Sequence, residues 1–129
     1  MTFNDLIQQA QKVLAPRQLA ANAWAGGVAA ALLTEAGNIY TGVCIDAACG
    51  IGFCAEHAAI AAMITAGENK IVKIVAIGKD GILPPCGRCR EFISQTHEDN
   101  IDAEVMVATD KVVKLRELLP YRWDESKEQ

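Results

Sequence analysis

Two apolar helical segments of this chain open on cysteine, and the second opening carries another cysteine three residues on. The first reads FCAEHAAIAAM over 53–63 and the second PPCGRCREF over 84–92. The spacing puts Cys54 at the mouth of one helix and both Cys86 and Cys89 on the first turn of the other. Unpaired N–H groups of a first turn carry partial positive charge, which favours thiolate over thiol. Three thiolates from two helix ends make a tripod for Zn²⁺, with the fourth tetrahedral position left to water. A fold that uses them so must bring the two helix starts together.

Glu56, two residues after Cys54, can then hang beside that water without ligating the metal. A carboxylate there can take a proton and hand it on. Other readings exist for each part. The C-x-x-C alone fits a redox pair or half of a structural zinc site, and Cys44 or Cys49 could supply a fourth thiol. Both lie outside any C-x-x-C spacing, which suits Cys44 to the core and Cys49 to a loop or pocket lining. Glu56 alone fits a first-turn acid that stabilises the helix dipole. The combination of C-x-E with a later P-C-x-x-C favours the catalytic reading.

The rest of the chain bounds the class. Its 129 residues suit one domain, 1–129, with an ordinary core. Net charge is −4, with the 12 basic residues scattered, which argues against nucleic-acid and membrane-surface partners. The start, MTFNDLIQQAQKV, lacks the apolar region of a secretory signal, and no apolar run approaches the ~18 residues of a membrane span. An odd count of five cysteines in such a chain argues against a disulfide framework. The expected location is cytoplasmic.

Periodicity predicts a helix over 3–14, capped by Asn4 or Asp5, then an alanine-rich stretch over 17–25 that is ambiguous, helix being one of its readings. VAAALLT and NIYTGVCID read as strands of a hairpin, joined at EAGN. A helix over about 55–66, a strand IVKIVAIG, an extended DGILPP and a helix over about 87–97 follow. AEVMVAT reads as a strand, KVVKL as a further one, LRELL as a short helix and DESKEQ as a frayed tail. This order points to a mixed sheet with helices on its faces.

CAEH and PPCGRC together resemble the zinc-deaminase signature in its three-cysteine form, and the chain resembles the cytidine deaminase family. VAAALLTEAGNIYTGV looks like that family's first hairpin, and ELLP followed by an aromatic looks like its C-terminal end. The resemblance implies an α/β fold, a three-layer α/β/α sandwich around a five-stranded mixed sheet. It implies Cys54, Cys86 and Cys89 as ligands of one Zn²⁺ per chain, with Glu56 as proton shuttle. The implied reaction is hydrolytic attack at C4 of a cytosine ring with loss of ammonia, as in pyrimidine salvage. It further implies a homotetramer, with Trp123 placed where the family's aromatic reaches a neighbour's pocket; the alternative is that Trp123 covers its own core.

Several expected substrate contacts depart from the family. Cys44 stands where an Asn and Asp46 where a Glu would meet the ribose, Ala55 keeps its place, and an aromatic before the first strand is replaced by Gly26. Trp24 is positioned to fill that gap or to serve the core. His57 stands where many relatives carry Arg; it or Arg88 can offset the thiolates' charge, or His57 can be a neutral hydrogen-bonding ring. PCGRCR and RELLPYRW look like the blasticidin S deaminase branch. The expected substrate is therefore cytidine or deoxycytidine. The alternatives are an antibiotic nucleoside analogue such as blasticidin S, a modified cytosine base, or, in another class, a zinc module without catalysis.

Overall fold

Small and β-branched apolar residues dominate the middle of the chain, and they build the sheet on which everything else rests. The computed structural model describes residues 1–124, so the tail expected to fray lies, from 125 onward, outside the described residues. Helix α1 (Phe3–Val13) leads into strands β1 (Arg17–Ala20), β2 (Ala23–Thr34) and β3 (Ile39–Ala47), then α2 (Ala55–Thr65). Strands β4 (Ile71–Gly78) and β5 (Gly81–Leu83) precede α3 (Gly87–Thr96) and a 3₁₀ turn, Glu98–Asp102. Strands β6 (Glu104–Ala108) and β7 (Lys111–Lys114) and the short α4 (Leu115–Leu118) follow. Among the described residues no helix is long and apolar enough to cross a membrane.

The sheet is mixed, with β4 and β6 parallel and the other neighbours antiparallel. Among the described residues it has seven strands where five were expected. The two additions fill gaps along existing edges. Strand β4 pairs with β2 only from Val28 onward, and the exposed edge over Ala23–Ala25 is taken by β1. Likewise β6 pairs with β4 at Lys73 and Ile74, and β5 folds back on Ala76–Gly78. Each addition satisfies backbone groups that would otherwise be left open. Residues 17–25, ambiguous by composition with helix as one reading, are thus strand and turn. The cap of α1 is Thr2, whose hydroxyl accepts from the Asp5 N–H at 3.3 Å while Asp5 accepts from the Thr2 N–H at 2.8 Å.

Alternation along β2 sorts the core into two layers. Ala29, Ala31 and Leu33 pack on Leu6 and Ala10 of α1. Ala30 and Leu32 pack with Ala59, Ile60 and Met63 of α2 and Ile93 of α3. The result is a sheet between helices, α1 on one face and α2 to α4 on the other. The end of α3 is fastened by Asn100, fully buried, which accepts from the Ile71 N–H at 2.8 Å and donates to Ile93 O at 3.0 Å.

Candidate metal centre and cavity

Cys54 is the N-cap of α2 and Cys86 the N-cap of α3, and neither side chain makes the usual capping hydrogen bond. Each start is held from behind. Phe53 exchanges backbone hydrogen bonds with Ile45 at 2.8 and 3.0 Å, tying the approach to α2 onto β3. Arg90 donates through Nε to Pro85 O at 2.8 Å and through Nη1 to Leu118 O at 3.2 Å, tying the approach to α3 onto α4.

The three sulfurs converge. Cys54 and Cys86 Sγ are 3.5 Å apart, Cys86 and Cys89 Sγ 3.6 Å, and all three lie within 4.8 Å of one another. A tetrahedral zinc with bonds of ~2.3 Å requires sulfurs ~3.8 Å apart, so the spacing fits. The donor chemistry fits as well. Burial opposes ionisation of Cys86, yet backbone N–H groups of Cys89 and Arg88 hold its thiol below the ordinary range. Burial pushes Cys89 up, with the Glu56 charge adding to it; burial and the Cys86 contact push Cys54 up. A divalent cation would compensate the negative charge that this crowding disfavours. Cys49 is exposed in a turn outside the cluster, and Cys44 sits on β3, its sulfur accepting the Val28 N–H at 3.3 Å.

Glu56 is only 5% exposed, and burial raises its carboxyl above the usual range. It lines a cavity of about 400 Å³ together with Cys54, Ala55 and Cys86. Cys44 and Asp46 line the β3 wall, and Arg88 lines the α3 side. Most residues singled out from the sequence therefore meet here. Cys89 lies buried beneath, and His57 touches it, Nδ1 3.6 Å from Sγ. Burial, then the neighbouring Arg88, lowers the His57 pKa, which favours the neutral ring of the two forms considered.

The two tryptophans are placed differently. Trp24 is outside the cavity lining, 42% exposed, but stands directly across from Asp46 in the β2–β3 register. Trp123 is 73% exposed and outside the lining of its own chain's cavity. At Gly26 the backbone has φ +83°, and a Cβ would overlap the Ala15 carbonyl, so no aromatic can stand there. The sequence reading missed Val28, Phe53, Leu83 and Pro84, all of which line the cavity. Their signal was adjacency: Phe53 directly precedes Cys54, and Leu83-Pro84 directly precede Pro85-Cys86.

No family model matches the chain. Over 108 residues it is 32% identical to the blasticidin-S deaminase of Bacillus cereus, covering 74% of this chain and 76% of that protein. Together with the three-thiol cluster, that match decides the kinship. The chain belongs to the cytidine deaminase family. Other cytidine deaminase relatives match over a shorter stretch. A probable cytidine deaminase of Dictyostelium discoideum is 38% identical over 68 residues, 50% of this chain and 46% of that protein. The cytidine deaminase of Mycobacterium tuberculosis H37Rv is 32% identical over 68 residues, 51% of each. These matches span about half the length of either relative. The fold agrees along nearly the whole chain with crystal structures of cytidine deaminases. That from M. tuberculosis has a TM-score of 0.79 at 24% identity, covering 95% of this chain and 98% of that one. That from Burkholderia pseudomallei has a TM-score of 0.76 at 26% identity, covering 95% and 100%.

Proposed function

We propose that this chain is a zinc-dependent hydrolytic deaminase, one Zn²⁺ per chain, that converts cytidine or deoxycytidine to the uracil form with release of ammonia. The observation that carries the reading is the buried Glu56 carboxylate beside a three-thiol cluster, with Glu56, Cys54 and Cys86 lining one cavity. A purely structural zinc site has no use for it. Cys54, Cys86 and Cys89 would hold the ion, which when bound supplies the Lewis acidity that makes water nucleophilic near neutral pH.

Glu56 does the proton work. It accepts a proton from the attacking water as oxygen bonds to C4 of the ring, and passes that proton to ring N3. It then carries the second proton to the exocyclic amine, the C4–N bond breaks with its electron pair on nitrogen, and ammonia leaves. Burial places the carboxyl closer to the range in which it can act as both base and acid. On this reading Ala55 meets the ring, and Asp46 and Cys44 meet the sugar from β3, with Trp24 across from Asp46 in the register. Arg88 supplies positive charge near the thiolates.

The chain acts as one domain in the cytoplasm, in pyrimidine salvage, and assembles as a homotetramer. Support for assembly comes from the outer side of α2, where Ala61, Ala62 and Ile64 are exposed, and from exposed Trp123. A second reading, an antibiotic nucleoside such as blasticidin S, is favoured by the 108-residue match to the Bacillus cereus enzyme.

The test is metal analysis joined to ammonia release over cytidine, deoxycytidine, cytosine, isocytosine, blasticidin S and adenosine. About one zinc per chain and turnover of a cytosine nucleoside are expected. Glu56→Gln should keep zinc and fold but lose at least ~10²–10⁴-fold in turnover. Full zinc content in a Cys86→Ala/Cys89→Ala protein, or near-native turnover by zinc-loaded Glu56→Gln, overturns the reading.

A further inference from the structure

Beside the thiol cluster, outside the cavity lining, stands a ring pair that the reaction itself leaves without a task. His57, on the first turn of α2, reaches across to α3 and brings Nδ1 to 3.6 Å from Cys89 Sγ. Its ring lies flat on Phe92, centroids 4.4 Å apart and planes 19° apart. Phe92 is one turn beyond Cys89 on α3, so the shelf and the sulfur ride on the same helix face. Rotation of the imidazole about its bond to the chain would break the stack and swing Nδ1 off the sulfur together. Cys89 is fully buried, so water cannot supply the hydrogen bond that an ionised sulfur wants.

We propose that His57 is a positioning residue for Cys89 as a metal-ligating thiolate: Nδ1–H donates to Sγ, and the Phe92 ring fixes the plane in which it does so. The inference rests on the zinc reading above and deepens it. A nitrogen in this tautomer donates to the sulfur while Nε2 stays free of the metal, so His57 is not a fourth ligand. A thiolate that accepts a hydrogen bond gives less electron density to its metal, which leaves the ion a stronger Lewis acid. Phe92 thereby gains a role that neither the motif nor its place in the core assigns to it.

Three variants separate donor from packing. His57→Phe keeps a ring on the Phe92 shelf and removes the N–H. His57→Asn keeps an N–H close to where Nδ1 sits and removes the ring. Phe92→Leu keeps His57 and bulk but removes the flat shelf. Zinc affinity is read by chelator competition, and the sulfur-to-metal charge-transfer band is read after replacing zinc with cobalt(II). His57→Phe should lose about 10–100-fold in zinc affinity and shift the band, as loss of an outer-sphere partner does. His57→Asn should recover most of both, and Phe92→Leu should fall between. In the zinc-loaded wild type, a long-range proton–nitrogen NMR spectrum should find the proton on Nδ1, a measurement that needs no variant. Unchanged affinity and band in His57→Phe, equal loss in His57→Phe and His57→Asn, or an Nδ1 without a proton overturns the inference. A wild type that binds no zinc overturns the metal reading first, and this inference with it.

Discussion

Gly42 of β3 lies against the backbone of Ala59 on α2 so closely that a side-chain carbon at position 42 would overlap the Ala59 nitrogen and the Ala58 methyl. Helix α2 therefore rests on the sheet backbone-to-backbone, and its height above the sheet sets where Cys54 and Glu56 stand.

Gly42→Ala should push α2 outward at its middle. Overpacking of this kind costs about 1–3 kcal/mol. Denaturant unfolding of the variant should register that loss, and zinc affinity should fall with it because Cys54 moves relative to Cys86. Wild-type stability in Gly42→Ala would contradict the close contact.

Asn100→Ala removes an amide that serves the N–H of Ile71 and the carbonyls of Ile93 and Asn69. Each buried group left without a partner costs about 1–3 kcal/mol. A total loss of about 3 kcal/mol or more is expected in equilibrium unfolding, and a loss below about 1 kcal/mol would show that other groups or water replace the amide.

Glu68 accepts from Tyr40 Oη at 2.6 Å and Asn38 Nδ2 at 2.8 Å, fastening the β2–β3 hairpin to the end of α2. Hydrogen bonds from Thr34, then Tyr40 and Asn38, lower its pKa from 4.5. A carboxyl with a lowered folded pKa contributes stability that is present above the unfolded value and lost as pH falls through the folded one. Thermal midpoints should therefore drop as pH is lowered from about 5 towards 3, and Glu68→Gln should flatten that part of the curve. An identical pH profile in the variant would remove Glu68 from the account.

Cys44 presents a weak donor on the β3 wall, where its sulfur already accepts the Val28 N–H. Asn at this position can keep that acceptor through its carbonyl and offer an amide to a sugar hydroxyl. Cys44→Asn should lower KM for cytidine by a few-fold, about what one neutral hydrogen bond contributes. A raised KM with kcat unchanged would argue that the sugar lies elsewhere.

Subunit sharing is tested by complementation. Light scattering should find a tetramer. Glu56→Gln and Trp123→Ala subunits, each inactive alone, should regain activity when dissociated and reassembled together, because some cavities then combine an intact Glu56 with a neighbour's Trp123. Verified hybrids without activity would leave Trp123 as an exposed side chain with no part in a neighbour's cavity.

The main elements were legible because their signals are local: the apolar alternation of β4, the caesura at Gly67, the prolines before Cys86. Strand β1 was not, because nothing in RQLA demands extension, and the extended DGILPP gave no sign that GIL would pair; both are strands since β2 and β4 leave edges open there. The three thiols and Glu56 were readable from spacing, each being fixed relative to a helix start. Phe53 and Leu83 were not, because a cavity wall is decided by which strands close around it. The stack of His57 on Phe92 joins residues 35 positions apart across two helices, a distance no local pattern encodes.

The β3 wall is made by side chains, whereas the helix starts are gathered by backbone, Phe53 being tied to Ile45 by main-chain hydrogen bonds. Cys44 and Asp46 hang from a strand whose register is set by β2, whereas the thiols depend on where α2 and α3 begin. Side chains on the wall can be exchanged without disturbing the backbone that gathers the sulfurs. A lineage carrying this architecture can therefore drift from one ring-bearing compound to another by single substitutions, retaining its reaction throughout, and divergence in what is recognised can outpace divergence in what is done.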